Sequence, residues 1–319
     1  MKEIGGYFGL ELNHGSEYHN NAIRLNSGRN AFEYILRSKM YKKVYLPYFT
    51  CDVMFEPINK LKLEYEYYYI NDNLEPLFDF KKIKPDQAFV YTNYFGVKSA
   101  YVRELSRVCS NLIIDNSQAF FDIPIPFVDA FNSPRKFFGV PDGAYLFTNK
   151  KLSIRLQFDI STKRFSHLLK RIDEGAKEGY IDFKINDESL SDQPIKQMSK
   201  LTKALLSNID YDRSKNCRVV NFNYLNENLF KTNRFKLENI NDIVPMVYPY
   251  WPDEGDALRN ELIKNKVFVA RYWPNIHAFL KTGSIETDLV KHLIPLPIDQ
   301  RYGMEEMQYI LKVIRKFYA

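Results

Sequence analysis

The chain has 319 residues, of which 45% are apolar and 26% charged; a chain of this length can bury roughly 75% of its unfolded surface, and this balance argues against disorder, collagen-like repeats and membrane residence. Lys and Arg number 45 against 39 Asp and Glu, an excess of 6 that favours small anionic ligands by long-range attraction but is too dispersed to point to nucleic acid. The three cysteines, Cys51, Cys109 and Cys217, offer neither a disulfide framework nor a CxxC site, so a reducing, cytoplasmic compartment is expected. The opening MKEIGGYFGLELNHGSE carries Glu3 and Glu11 and lacks the apolar core of a signal peptide. No run reaches the ~18 apolar residues of a membrane span.

In RNAFEYILRSKM, the apolar Ala31, Phe32, Ile35, Leu36 and Met40 recur at helical spacing; Asn26 or Ser27 can cap the helix and Gly28 opens it. KVYLPYF follows as a short strand stopped at Pro47, Tyr65 to Tyr69 alternate as a half-exposed strand, and AFVYTNYF reads as a buried strand. VRELSRVCS is expected to be a helix with Val102, Leu105, Val108 and Cys109 on one face, and NLIIDNS and GAYLFTN are further strands. The stretch 150–215 is helical and charge-rich, a solvated connector. Beyond Val219, IVPMVYPYWP and KVFVARYWP read as strands, DALRNELIKNK as the helix between them and GMEEMQYILKVIRKFY as a closing amphipathic helix. The βαβ order predicts an α/β fold with a mostly parallel central sheet covered on both faces by helices. A large domain over 1–215 and a smaller C-terminal α+β domain over 216–319 are expected.

In open parallel sheets the ligand site lies at the carboxyl ends of the strands, and the distinctive polar residues fall there. Pro47 to Cys51, Asn93 to Gly96 and Asp115 to Gln118 each end a strand. Gly28 and Arg29 stand at a helix N-terminus, where free N–H groups favour an anion. In FNSPRKFFGVPDGAYL, Lys136 is followed by Phe137 and Phe138. It reads either as an amine stripped of water, as imine formation requires, or as an exposed lysine whose stem lies on aromatics. His14, His19, His167, His277 and His292 have no metal-ligand spacing, so no metal is expected; His14 and His19 read as exposed loop residues.

The ordered segments SGRNA, LPYFTC, IDNSQA, SPRKFFGVPDGA, RYWPNIH and LIPLPID resemble the DegT/DnrJ/EryC1/StrS sugar aminotransferases, which have the fold-type-I architecture of pyridoxal phosphate (PLP) enzymes. The resemblance is clear from Ile23 to Asn149 and weaker from Val244 to Phe317. It implies that Lys136 holds PLP covalently and shuttles the proton, that Asp115 pairs with the ring nitrogen, and that Gln118 lies by the ring. It further implies that Gly28 and Arg29 hold the phosphate, with Ser133 as a further candidate. Sugar-dehydrating relatives carry His where Lys136 stands, so the resemblance favours transamination: amino transfer from an amino acid to a keto sugar on a nucleotide, in amino-sugar or surface polysaccharide synthesis, by a homodimer without nucleic-acid or membrane partners. Departures are Arg29 for Thr, Cys51 near the ring-stacking aromatic, Ile114 for Glu and Ala144 for Gly, with no recognisable Asn-x-Arg segment between 175 and 215. Phe49 or Tyr94 would then be left to stack on the ring. These departures leave open a catalytically inactive relative that binds a nucleotide sugar or a partner protein.

Overall fold

Strand-forming and helix-forming segments alternate through the first half of the chain in the computed structural model, which describes residues 4–13, 15–237, 243–280 and 283–319. In order these are β1 Ile23–Leu25, α1 Gly28–Lys39, β2 Lys43–Pro47, α2 Phe55–Lys60, β3 Glu64–Ile70, β4 Pro76–Leu77, β5 Gln87–Thr92, α3 Ser99–Val108, β6 Leu112–Asp115, β7 Asp129–Asn132 and β8 Ala144–Phe147. Three short helices occupy the connector: α4 Ser166–Asp173, α5 Tyr180–Glu188 and α6 Lys200–Leu206. The long α7 Tyr211–Leu229 then leads into β9 Val247–Tyr250, α8 Gly255–Lys264, α9 Ile285–His292, β10 Ile294–Pro297 and α10 Met304–Tyr318.

The strands form an eight-stranded sheet in the order β1-β8-β7-β6-β5-β2-β3-β4. Strands β7, β6, β5, β2 and β3 run parallel, while β8 is antiparallel to both β7 and β1 and β4 is antiparallel to β3. Successive strand residues face opposite sides, so Val44, Leu46, Val90 and Ile113 meet Phe32, Ile35 and Leu36 of α1. On the other side Tyr45, Phe89, Tyr91 and Ile114 meet Val102 and Leu105 of α3. Burying each large side chain of α1 contributes about 1.5–3 kcal/mol, and the Ser27 hydroxyl accepts the Asn30 N–H at 3.2 Å to cap the helix. In the second half β9 and β10 pair antiparallel. Their Tyr248, Tyr250, Ile294 and Leu296 pack on Leu258, Leu262, Ile310 and Ile314 of α8 and α10.

Four expectations need correction, and one lies elsewhere. Val108 ends α3 and is exposed, while Cys109, just past the helix, takes the inward place. KVFVARYWP forms no strand: Val267, Val269 and Trp273 are buried without a strand partner. The connector is helical only in pieces and exposes apolar Ile172, Ile181 and Ile185 as well as charge. His19 is buried; its Nε2 lies 2.6 Å from the Phe120 carbonyl, and burial lowers its pKa to about 4. His14 is outside the described residues.

Candidate active site

Asp115 is the last residue of β6, where the parallel ladder delivers its carboxylate to the carboxyl edge of the sheet. The group is buried, and Oδ1 accepts the Ser117 N–H at 2.8 Å. Burial raises its pKa, while the nearby Lys136 ammonium opposes that shift. Lys136 is therefore within electrostatic reach of Asp115, and it also pulls down the thiol of Cys51, which burial otherwise pushes up.

Gln118 completes the turn. Its Oε1 accepts the Phe95 N–H at 2.8 Å, whereas its buried Nε2 has no partner among the described residues. The amide is fixed by an unusual stretch at the end of β5, where Phe95 (φ 57°) and Gly96 (φ 73°) are both left-handed. A Cβ at position 96 would stand 2.9 Å from the Gln118 carbonyl oxygen, so only glycine fits. Gly28 approaches the same turn from α1, its open side facing Ser117 Oγ and the Phe131 ring at 3.8 Å.

Lys136 closes the 3-10 turn Pro134–Lys136 directly after β7, and Ser133 precedes that turn with a hydroxyl that makes no capping bond. The turn sends Phe137 and Phe138 into an aromatic cluster with Phe120 and Tyr145, and it leaves Lys136 exposed. The aromatic neighbours thus do not strip water from the lysine, because a tight turn points successive side chains in different directions. The Asp142-Gly143 pair that follows has a structural role. Asp142 accepts Ser199 N at 2.9 Å and Ser199 Oγ at 2.8 Å, and also the Thr202 hydroxyl, tying α6 to this turn. Gly143 has φ +116°, and a Cβ there would lie 3.2 Å from Pro134.

The structure therefore brings Gly28, Asp115, Gln118, Ser133 and Lys136 to one end of the sheet. Arg29 is turned elsewhere, donating to Glu56 at 3.0 Å and Ser191 at 2.6 Å. Phe49 and Tyr94 are fully buried and packed against Trp273, with centroid separations of 4.5 and 5.9 Å. His277 is exposed on the turn Pro274–Ala278. Sequence reasoning missed Arg218 and Gln300, which donate to the carbonyl of Phe137 at 3.5 and 2.9 Å and so hold the residue next to Lys136. They stand 81 and 163 positions from Phe137, beyond the reach of any local pattern.

Solved structures match the fold that carries these residues. DesV from S. venezuelae, solved in complex with a ketimine intermediate, superposes with a TM-score of 0.67 over 93% of this chain and 84% of its own, at 16% identity. The fold is that of the sugar aminotransferases. A DegT/DnrJ/EryC1/StrS aminotransferase from Brucella abortus matches with a TM-score of 0.60 at 14% identity, covering 93% of this chain and 85% of its own. NtdA from Bacillus subtilis, with bound cofactor PMP, matches with a TM-score of 0.62 at 14% identity, covering 92% and 73%. No family model and no curated protein matches the chain.

Proposed function

We propose that the protein is a PLP-dependent aminotransferase of the DegT/DnrJ/EryC1/StrS type, moving an amino group from an amino acid to a keto sugar carried on a nucleotide, in amino-sugar or surface polysaccharide synthesis. The observation that carries this reading is Lys136 within electrostatic reach of the buried Asp115 carboxylate, beside the unpartnered amide of Gln118. That donor set fits PLP: an amine, a buried anion for a protonated ring nitrogen, and an N–H donor for a ring oxygen. When bound, PLP supplies an electron sink that lets a proton leave the carbon bearing the amino group. Lys136 would hold the cofactor and would take and return that proton at Nζ. Burial raises the pKa of Asp115, and Lys136 and the Ser117 N–H work against that rise. The first-turn N–H groups of α1 at Gly28 and Arg29 would hold the phosphate through backbone dipoles, and the Ser133 hydroxyl would donate to it. The Arg29 guanidinium is already occupied.

The reading extends to a large unit over 1–215 and a small one over 216–319, with α7 running through the boundary. A homodimer is supported by the exposed Ile172, Ile181, Phe183 and Ile185 of α4 and α5, and light scattering should give twice the chain mass. Three free cysteines support a reducing, cytoplasmic location, and no described helix is long and apolar enough to cross a membrane.

A catalytically inactive relative that binds a nucleotide sugar or a partner protein is the second reading, favoured by the engaged Arg29 and by Cys51 near the expected ring-stacking position. Borohydride reduction of the PLP-treated protein, followed by peptide mass spectrometry, decides between them. The active reading requires the pyridoxyl group on the Lys136 peptide. Label on Lys150, or none, rejects it.

A further inference from the structure

The turn Pro134–Lys136 is shaped by its own bonds: Lys136 N–H donates to the Ser133 carbonyl at 3.3 Å, and the N–H groups of Phe137 and Phe138 both donate to the Pro134 carbonyl, at 2.9 and 2.8 Å. A single 3-10 turn closed this way keeps its shape but not its place on the sheet. Its start is placed by Pro134, packed against Gly143. Its far end is placed by Phe137, whose carbonyl accepts Gln300 Nε2 at 2.9 Å and Arg218 Nη2 at 3.5 Å. Lys136 lies between these two anchors.

Arg218 reaches the turn from α7. It is 1% exposed, and its guanidinium also lies 4.5 Å from the centre of the Phe137 ring, so it meets both the carbonyl and the ring of one residue. Its Nη1 donates to the carbonyls of Pro245 and Met246 at 3.3 and 2.9 Å. Pro245 in turn packs on Gly96, the residue seated against the Gln118 carbonyl. One guanidinium therefore joins the turn that carries Lys136 to the turn that carries Gln118. No carboxylate forms an ion pair with it among the described residues; Asp299, whose charge reaches it, is held by Arg301 at 2.6 and 2.8 Å. A cation buried among carbonyls with no counter-ion carries a desolvation cost, and burial lowers its pKa to about 10. What this side chain supplies is a planar fork whose separate donors face two chain segments at once, which an ammonium cannot do.

We propose that Arg218 and Gln300 are positioning residues that set the place of Lys136 relative to Asp115 and Gln118. Only the use of that place for amino transfer rests on the functional reading above; the clamp itself does not.

Cys51 offers a reporter that needs no cofactor. Its thiol is half-buried, and the groups that act on its charge are Lys136, which favours the thiolate, Asp52, which opposes it, and the Val53 N–H. Moving Lys136 away should therefore raise the thiol pKa and slow alkylation. Iodoacetamide treatment of the full chain as purified, from about pH 7 to 10 and read by peptide mass spectrometry, gives separate rates for Cys51, Cys109 and Cys217. Lys136→Met sets the slow limit. Arg218→Lys keeps the charge but cannot span both segments, and should slow Cys51 by about two- to fivefold at fixed pH, with the midpoint of its pH profile moved upward. Gln300→Ala should slow it by about twofold while melting within about 2 °C of the parent, so it decides the matter if Arg218→Lys fails to fold. Mere loosening of the fold would act the other way, with Cys51 and the buried Cys109 both reacting faster. Parental Cys51 rates in Gln300→Ala and in folded Arg218→Lys, faster reaction of Cys51 together with Cys109, or a Lys136→Met rate equal to the parent's would each overturn the proposal. Slowed Cys51 in both variants of a parent that takes no borohydride label would reject the aminotransferase reading and leave the clamp standing.

Discussion

Replacing Gly143 with alanine tests whether the Asp142-Gly143 pair supports the turn that carries Lys136. At φ +116° any L side chain is strained, at about 1–3 kcal/mol. The new Cβ would also stand 3.1 Å from Met198 Cε, 3.1 Å from Thr202 Cγ2 and 3.2 Å from Pro134 Cγ. Crowding of that kind in a packed interior costs about 1–3 kcal/mol more. A loss of about 4 kcal/mol is a large share of the ~5–15 kcal/mol by which domains are stable. With a urea slope of about 3 kcal/mol per molar, the unfolding midpoint should fall by more than about 1 M. Gly28→Ala is the control, because its nearest neighbours lie at 3.8 Å and its φ is not positive; its stability should stay within about 0.5 kcal/mol of the parent. Urea titration followed by circular dichroism gives both numbers. If Gly143→Ala unfolds at the parental midpoint, the packing argument for the Lys136 turn is wrong.

Three further outcomes follow from the site and its surroundings. The neutral form of His19 is favoured by folding, since its pKa falls from 6.5 to about 4; its contribution is present above pH 6.5 and should fade by about 3 kcal/mol as the pH drops toward 4. His19→Gln should flatten the stability profile in that window, and an unaltered slope would show that the acid sensitivity comes from other groups. Asp115→Asn preserves shape but removes the negative charge, so PLP-dependent turnover should drop about 10²-fold or more with little change in melting temperature; unchanged turnover would assign the ring nitrogen to another partner. Gly96→Ala forces a Cβ to within 2.9 Å of the Gln118 carbonyl oxygen, and should cost about 1–3 kcal/mol together with weakened PLP binding measured by absorbance. A fully stable variant would argue that the turn has slack.

Elements whose signals are local were legible in the sequence. The first helix shows its cap at Ser27 and its apolar stripe within a dozen residues, and the runs ending at Pro47 and Asp115 are short and apolar enough to specify buried strands. KVFVARYWP misled because period-two alternation reports burial of every second residue, which Val267 and Val269 satisfy on the core of the second half while Phe268 stays outside, with no strand alongside. His19 was misread because the rings of Phe120, Tyr145 and Phe147 that enclose it, and the Phe120 carbonyl it meets, stand 101 or more positions away. The segment SPRKFFGVPDGA was visible as a motif, but the role of its Asp142 lay with Ser199 and Thr202, 57 and 60 positions further on. Residues at strand ends could be gathered from topology alone; side chains contributed by the connector and by the loop after β10 could not.

The left-handed turn at Phe95 has a consequence for how the two halves of the chain can move. Its N–H holds the side chain of Gln118, and its carbonyl accepts the Met246 N–H at 2.8 Å just ahead of β9. One residue thus serves as a latch between the carboxyl edge of the large sheet and the entry to the small one. Displacement of the small sheet must either carry the Gln118 amide with it or break the latch first. The two amide protons report which occurs: if Phe95 and Met246 exchange with solvent at one common rate, the halves open as a unit, and if Met246 exchanges far faster, the Gln118 amide keeps its place while the small sheet swings free.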